Sequence, residues 1–404
     1  MSKLPLERYR ILDFGTAWAG AMTGQLLADM GAEVIRVESR EKIDGIRLGW
    51  PGKGAPPDPE LNTHFHGLNR NKLSITANMK TAEGLALIKD LVRQSDVVSD
   101  NFTPGVLERA GLDYDSLRKI KPDIICASLP AAGKYGPWKD VRTYASTLGA
   151  LAGTEGLVGY PGGRPLSMSM AYADANGALH AAMSILIALL HRDRTGEGQF
   201  IDASQWEATT SLLGEPIMDY TMNGRNTGPQ GNLNPSMVPH NNYPCKEKDS
   251  WVSIAVYAEE EWQGFCRAMG NPAWTKEERF SDKFRRLQNR EALDKLVSEW
   301  TSKLSRVEVT EMLQKAGVAA APLFNIDEVD ANPHFKERQL YVDVEHRRTG
   351  MEPVYGIPWK LSATPGEIRH NAPLLGEHNE YIYNEVLGLP KEETVRLEEA
   401  KALY

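Results

Sequence analysis

The sequence has few cysteines and no run of basic residues. Its three cysteines, Cys126, Cys245 and Cys266, lie far apart and show none of the short spacings of a zinc site or a disulfide framework, so we expect them to stay reduced. With 46 basic against 54 acidic residues the net charge is -8, which gives nucleic acid or an anionic membrane nothing to bind. Small-molecule chemistry is the class of function that remains.

The sequence also shows no export signal and no membrane-spanning segment. The first residues, Met1-Ser-Lys-Leu-Pro5, contain no apolar run before a small-residue cleavage site. The longest apolar stretch, 178–190, contains His180 and Ser184 and is shorter than the roughly 20 residues that a membrane helix needs. The sequence therefore predicts a cytoplasmic protein.

Common catalytic motifs are missing as well. No G-x-S-x-G, P-loop, H-E-x-x-H or C-x-x-C occurs, which removes the usual hydrolase, kinase and metal-site interpretations. Gly15, Gly20 and Gly24 are too widely spaced for the G-x-G-x-x-G of a dinucleotide site. NAD binding, with Glu38 as the ribose ligand, is therefore only an alternative.

Histidines give no metal signal either. His64 and His66 could share a strand face, but no third ligand is in view. His180 lies in an apolar helix and is read as a core residue. The sequence predicts no metal site and no permanently bound cofactor.

Short β-rich runs alternate with helical patterns over the first third of the chain, which is typical of an α/β fold with a parallel sheet. Strands are predicted at 10–14, 33–37, 96–100, 123–128 and 199–203. Helices are predicted at 20–30, 82–93, in two short pieces ending near Ile120, at 174–191 and from Gln205. The fold class is α/β, with a Rossmann-like large domain.

Composition places a domain boundary near residue 225. Residues 223–244 are rich in Asn, Gly and Pro, which is typical of a linker or a functional loop. Later strands are predicted at 251–256, 319–323, 341–345 and 356–358, with mostly helical sequence at 291–316. We expect a large domain from 1–215 and 335–404, a small α+β domain from 225–325, and linkers at 216–224 and 326–334.

Asp174 is the most informative acidic residue because it opens the predicted apolar helix. Asp is a favoured N-cap residue, so a structural role is the simpler interpretation of the pattern alone. The same position places a carboxylate beside backbone N–H donors, where it can stay ionised and act as a nucleophile. Both roles remain open at this level.

Motifs over nearly the whole chain resemble those of the class III coenzyme A transferases, typified by formyl-CoA:oxalate and carnitine CoA-transferases. They are Gly20 with 25–38 (QLLADMGAEVIRVE), 69–72 (NRNK), 100–109 (DNFTPGVLER), Gly136-Pro137, Asp174-x-x-Gly177, 194–199 (RTGEGQ) and 373–378 (PLLGEH). Each is weak alone, and their common order and spacing make the resemblance specific. It implies a Rossmann-like fold and an interlocked dimer in which each chain threads the other.

In that family an aspartate at the position of Asp174 attacks the acyl-CoA thioester, giving a mixed anhydride and then an enzyme-CoA thioester. The resemblance implies CoA transfer from an acyl-CoA, such as succinyl-CoA, to a carboxylic acid. The implied oxyanion or acyl pocket contains Trp18, Ala19, Gly20 and Tyr144. The implied CoA-binding residues are Asn71, Lys72, Leu73, Asn101, Arg109 and Arg142, with Arg36, Arg40 and Arg47 as weaker candidates.

Several of these residues also have ordinary structural interpretations. Asn101 could cap a helix opening at residue 103 or 104, Arg109 could pair with Glu108 or Asp113, and Lys72 could be a solvated turn residue.

Departures from the family pattern point to a different acid. Trp18 replaces a frequent polar residue, Ala145 stands where an acidic residue commonly follows the tyrosine, and 235–243 occupies the region of the family's glycine-rich loop. A less polar pocket predicts a bulky or aromatic acid such as benzylsuccinate. The alternatives are a 2-methylacyl-CoA racemase-like enzyme and a non-catalytic CoA-binding subunit of a hetero-oligomeric transferase.

Overall fold

The computed structural model describes residues 4–49 and 58–404. Its strands are β1 (Arg10–Asp13), β2 (Glu33–Glu38), β3 (Lys72–Thr76), β4 (Val97–Asp100), β5 (Ile125–Ser128), β6 (Phe200–Asp202), β7 (His240–Pro244), β8 (Trp251–Ala255), β9 (Ala319–Pro322), β10 (Tyr341–His346) and β11 (Gly350–Tyr355).

Its α-helices are α1 (Ala19–Asp29), α2 (Gly45–Leu48), α3 (Thr63–Asn69), α4 (Ala82–Arg93), α5 (Val106–Arg109), α6 (Tyr114–Ile120), α7 (Ala145–Ala152), α8 (Tyr172–Thr195), α9 (Gln205–Thr210), α10 (Gly214–Asn223), α11 (Glu259–Ala268), α12 (Lys283–Gln288), α13 (Arg290–Thr301), α14 (Arg306–Lys315), α15 (Ile326–Ala331), α16 (Pro333–Glu337) and α17 (Lys391–Glu399). A π-helix covers Tyr381–Val386.

A parallel sheet of six strands organises the first of two compact units. The strand order is β3-β2-β1-β4-β5-β6, and every neighbouring pair is parallel. From β1 the chain adds β2 and β3 towards one edge of the sheet, and from β4 it adds β5 and β6 towards the other edge. The carboxyl ends of β1 and β4 therefore form the point where strand order reverses, which is where open α/β sheets bind ligands. The predicted α/β, Rossmann-like fold is confirmed.

The side chains of each strand alternate between the two faces of the sheet, and this divides the apolar core into two layers. Ile11 of β1 belongs to a buried cluster with Leu27 of α1 and Ile185 of α8. The next residue, Leu12, belongs to a second cluster with Ile88 of α4. Successive side chains of a strand point to opposite faces, so helices cover both faces of the sheet.

Helix α8 begins two residues before its predicted start. Its N-cap is Ala171, and it ends before Gly196, which has a left-handed φ of 78°. Asp174 therefore lies in the first turn and does not cap the helix. Within the described residues α8 is also the one helix long and apolar enough to cross a membrane, but its Ile185 and Leu189 lie in the core. A cytoplasmic location stays a prediction.

The two units have boundaries that differ in detail from the sequence-based ones. The first contains the chain up to Glu155, Ser167–Gly224 and His334–Tyr404, and the second contains Gly156–Leu166 and Arg225–Pro333. The predicted linker 216–224 lies mostly in α10, and 326–334 contains α15, since both segments form helices. Segment 156–166 joins the second unit without any compositional signal.

The second unit contains the antiparallel sheet β7-β8-β9. Its helices α11, α13 and α14 bury Trp262, Phe265, Val297 and Leu313 in one apolar cluster. Strand β7 (HNNYP) is too polar for sequence patterns to indicate it. In the first unit, β10 and β11 pair as a hairpin, and no strand forms at 356–358.

Candidate active site

The loop between β1 and α1, residues 15–18, is held by side chains from several elements. The N–H of Gly15 donates to Asp13 Oδ1 (2.8 Å), that of Thr16 to Asn101 Oδ1 (2.9 Å), and that of Ala17 to Asp44 Oδ2 (3.2 Å). Ala17 has a φ of 54°, an uncommon conformation for a residue with a Cβ. Because these hydrogen bonds fix the loop, they also fix the N-terminus of α1.

Asn101, just after β4, lies directly against the start of α1. Its Nδ2 donates to the carbonyl oxygen of Thr16 (3.0 Å). A Cβ on Gly20 would lie 2.5 Å from Asn101 Oδ1 and 2.6 Å from Gly15 Cα. Glycine at position 20 is therefore required by close approach. Asn101 does not cap a helix, because α5 begins at Val106 after Gly105.

Asp174 is partly buried where two helices begin. It lies in the first turn of α8, and its carboxylate accepts a hydrogen bond from the backbone N–H of Ala19, the first residue of α1. Burial raises the pKa of Asp174 from 3.8 to about 6, against the lowering effect of that hydrogen bond. At neutral pH the group is ionised but poorly solvated, which is the state of a reactive carboxylate nucleophile.

Trp18 directly precedes the first residue of α1. Its ring meets that of His64 edge to face, with centroids 4.8 Å apart, and it packs against a small cluster containing Ala21 and Phe65. Burial lowers the pKa of His64, so its ring is neutral near pH 7. His64 lies on α3, where the sequence suggested a strand.

Three predicted ligand-binding side chains face solvent. Arg109 and Arg142 are exposed, and neither has an ion pair within the described residues. The Arg109 guanidinium lies over Gly105. The ion pairs suggested for Arg109 do not form, because Glu108 pairs with Lys134 (3.2 Å) and Asp113 caps α6. Tyr144 is 74% exposed, directly before α7.

Two other predicted CoA contacts are held inside the fold. Lys72 is fully buried, and its Nζ donates to Asp13 (3.0 Å), Asn69 (3.1 Å) and the carbonyl oxygen of Ala21 (2.7 Å). It is not a solvated turn residue, because it is the first residue of β3. The side chain of Asn71 bonds Asp29 and backbone groups near Glu367. Their expected contact with CoA has no support in this structure.

Leu73, the remaining predicted CoA contact, is partly buried. It follows Lys72 in β3 and packs against the core cluster on the α4 face of the sheet.

Comparison with known proteins decides the family. Residues 6–379 match the family model described as CoA-transferase family III. The chain belongs to this family. The transferase is 33% identical to the succinyl-CoA–D-citramalate CoA-transferase of Chloroflexus aurantiacus, over 99% of this chain and 98% of that one. It is 32% identical to the succinate–glutarate CoA-transferase of Agrobacterium fabrum, over 95% and 96%.

A solved structure agrees with this assignment. A CaiB/BaiF family protein from Brucella suis superposes on the transferase with a TM-score of 0.84 at 31% identity, covering 96% of this chain and 100% of that one. The resemblance inferred from the motifs is confirmed, and the transferase is an enzyme of class III.

The transferase also contains a buried ionic network that sequence patterns did not indicate. Arg36 pairs with Asp44 and with Glu38 (3.3 Å), and Arg47 pairs with Glu38 (2.9 Å) and Glu60 (2.7 Å). Burial alone would raise the pKa of Glu38, but the two arginines lower it to about 2. Glu38 is thus engaged within the fold, which removes the ribose ligand of the NAD alternative.

The same network explains why Asp44 escaped prediction. Its carboxylate accepts from Ala17 and from Arg36, and it caps α2. These partners are brought together by the fold, with no shared motif. Arg36 donates to the carbonyl oxygen of Gly15 (2.7 Å), so this weaker CoA candidate also holds the 15–18 loop.

Proposed function

We propose that the transferase moves coenzyme A from succinyl-CoA to a second dicarboxylic acid through covalent intermediates on Asp174. The observation that carries the proposal is the partly buried carboxylate of Asp174 at the starts of α1 and α8, with a pKa raised to about 6. Relatives support the substrate class: their names join succinate or succinyl-CoA with D-citramalate, glutarate or mesaconate.

The first step is attack by a carboxylate oxygen of Asp174 on the thioester carbonyl of succinyl-CoA. A C–O bond forms and the C–S bond breaks, which leaves a mixed anhydride and the CoA thiolate. The oxyanion formed during attack needs donors. The N–H of Gly20 lies in the first turn of α1, where backbone donors have no partner within the helix.

The second step returns the thiolate to the protein. It attacks the aspartyl carbonyl, releases succinate and leaves a thioester between CoA and Asp174. The acceptor carboxylate then attacks this thioester, and the freed thiolate attacks the new anhydride at the acceptor's carbonyl. The product acyl-CoA leaves and Asp174 is regenerated. Exclusion of water protects both activated intermediates, which the partial burial of Asp174 favours.

Trp18 bears on which acceptor fits. Its apolar ring stands next to Ala19 in the chain, so we propose that it lines the acyl pocket, where 2-substituted succinates such as benzylsuccinate would contact it. Acceptors to compare are glutarate, citramalate, mesaconate and benzylsuccinate. Replacement of Trp18 by Gln should change the ranking of their kcat/KM values; an unchanged ranking removes Trp18 from the pocket.

The direct test of the proposed mechanism is covalent trapping. The protein is incubated with succinyl-CoA, treated with hydroxylamine or borohydride, and digested for mass spectrometry. We expect the modification on the peptide that contains Asp174. Asp174→Asn should abolish both trapping and turnover, whereas Asp193→Asn, the same change near the other end of α8, should preserve them.

The alternatives give different results in the same experiment. Solvent deuterium beside the thioester of a 2-methylacyl-CoA, without an adduct, would identify a racemase-like enzyme. A chain that stays unmodified with every thioester is a non-catalytic subunit. Both outcomes contradict the proposed mechanism.

We further propose that the active form contains two chains, as a homodimer or with a homologous subunit. Relatives named as alpha and beta subunits of a succinyl-CoA–L-malate CoA-transferase support the second arrangement. The fold supports a partner as well, because α8 carries an exposed apolar stripe formed by Leu179, Met183, Leu186, Ile187 and Leu190.

A further inference from the structure

A cluster of two histidines and a glutamate lies buried in the first unit, apart from Asp174. His66 comes from α3, His346 ends β10 and Glu352 lies on β11. One donor atom from each can be chosen so that all three lie within 4.8 Å of one another. His66 and His346 stack with ring centroids 3.8 Å apart.

The hydrogen bonds of His66 require a proton or a cation between its ring and Glu352. Its Nε2 lies 3.0 Å from the carbonyl oxygen of Glu60, and its Nδ1 lies 2.7 Å from Glu352 Oε1. Both partners are acceptors when Glu352 is ionised. Once Nε2–H donates to Glu60, the lone pair of a neutral Nδ1 faces the carboxylate, and only a proton or a metal cation can stabilise that approach.

Two further atoms favour the metal over the proton. His346 Nε2 and Glu352 Oε2 are both buried and have no hydrogen-bond partner among residues 4–49 and 58–404, and the residues are 3% and 9% exposed. A single proton between His66 and Glu352 leaves both atoms unsatisfied, and an unsatisfied buried polar atom is destabilising. A cation bound by all three side chains satisfies both of them.

We propose that His66, His346 and Glu352 bind a divalent metal ion of the zinc type. Two imidazoles and one carboxylate are ligands that Zn²⁺ accepts, with the fourth position open to water. The outer contacts suit this role: Glu60 orients His66, Thr349 Oγ1 lies 3.0 Å from His346 Nδ1, and Asn371 donates to Glu352 Oε1 (2.7 Å).

Metal binding must draw His346 towards the other two ligands and turn its ring out of the stack, because imidazole lone pairs lie in the ring plane, and it must part His66 Nδ1 from Glu352 Oε1, which lie 2.7 Å apart. Donor atoms of a tetrahedral zinc site lie about 3.3 Å apart, given bonds of about 2.0–2.2 Å. The donors here extend to 4.8 Å. His346 is the ligand most able to move, because it ends β10 next to the turn 347–349.

The proposed site joins elements that are far apart in the chain. It connects α3 to the β10–β11 hairpin, and α3 also carries His64, whose ring supports Trp18. Zinc would thus act structurally, by fixing α3, whose His64 ring packs against Trp18. The sequence expectation of no metal site considered only His64 and His66, since the other ligands lie nearly 300 residues away and form no motif.

The test is metal binding by the purified, chelator-treated full chain. Cobalt(II) is added as a spectroscopic probe and zinc as a competitor. We expect one equivalent of cobalt to give visible absorption of a four- or five-coordinate site, zinc to displace it, and excess zinc to raise the thermal unfolding midpoint by about 3 °C.

Variants identify the ligands. Glu352→Gln keeps the shape of the side chain, and the double variant His66→Gln/His346→Gln removes both nitrogen donors; each should lose the cobalt spectrum and the zinc-dependent stabilisation. His64→Gln, on the same helix, should keep both. A wild-type protein that shows neither signal holds only a proton between His66 and Glu352, and that result overturns the proposal without affecting CoA transfer.

Discussion

The backbone N–H of Ala19 donates to the carboxylate of Asp174, and this hydrogen bond connects the start of α1 to the start of α8. The acceptor is the proposed nucleophile, and the donor belongs to the helix turn that also presents Gly20. The proposed nucleophile and the proposed oxyanion donor therefore belong to one hydrogen-bonded unit. Asn101 and Asp44 hold that unit through Thr16 and Ala17.

The raised pKa of Asp174 predicts how the reaction depends on pH. Protonation removes the nucleophile, so the rate constant for enzyme-CoA thioester formation should fall about tenfold per pH unit below about pH 6 and stay flat above it. Single-turnover reactions with succinyl-CoA from pH 5 to 8 measure this rate constant. No acceptor acid is present, so its own titration does not affect the result. A midpoint near pH 4 would show that burial does not control the group.

The same pKa predicts that Asp174 destabilises the fold. The pKa is higher in the folded state (about 6) than the ordinary value of 3.8, so the folded protein binds more protons between these values and stability falls as pH rises through that window. Asp174→Asn should then gain about 1–3 kcal/mol at pH 7.5 and much less at pH 4.5. Urea unfolding at both pH values measures the difference; an equal gain contradicts the linkage.

Gly20 offers a test of the fixed loop. Gly20→Ala places a Cβ against Asn101 and Gly15, so it should cost about 1–3 kcal/mol of stability and lower kcat/KM about a hundredfold by displacing Ala19. Gly67→Ala is the matched control, because Gly67 also lies in a helix but has nothing within 4 Å of the new Cβ. Full activity in Gly20→Ala would mean that the loop is adaptable.

The sheet was accessible to sequence reasoning for physical reasons. Apolar strands such as β1 and β4 are buried on both faces and give continuous β-rich runs. Asp174 was singled out because it opens an apolar helix, and its role as nucleophile, which the family resemblance implies, stays a prediction. Strand β3 was missed because it begins with Lys72, whose charge is satisfied inside the fold by Asp13.

Roles that depend on long-range partners could not be predicted. Lys72 and Asn71 belong to a family motif, and the same charge and polarity suit either a ligand or a buried bonding network. The structure shows Lys72 bonded to Asp13 and Asn71 bonded to Asp29, and their contact with CoA stays a prediction. For Arg109 and Arg142 the structure leaves the guanidinium groups exposed, so the expected contact with CoA remains a prediction.

Those two arginines can be tested by substrate affinity. Arg109→Ala and Arg142→Ala should each raise KM for acyl-CoA about tenfold with little change in kcat, since a charge-assisted bond to a phosphate is lost equally from ground and transition states. Stability should change by less than about 0.5 kcal/mol. Arg118→Ala, which removes an exposed arginine paired with Asp115, is the control and should leave KM unchanged. If KM for acyl-CoA is unchanged in both variants, CoA does not contact these two arginines.

The apolar stripe of α8 predicts the state of assembly. Its residues recur at helical spacing and remain exposed in the single chain, although α8 is buried on its other side. We expect sedimentation velocity to show a dimer that persists on dilution, with an unfolding midpoint that rises with protein concentration. Ile187→Glu should dissociate or prevent the dimer, whereas Val395→Glu, an equally exposed apolar site on α17, should not. A monomeric wild-type protein would leave the stripe for a different subunit, as the alpha and beta relatives suggest.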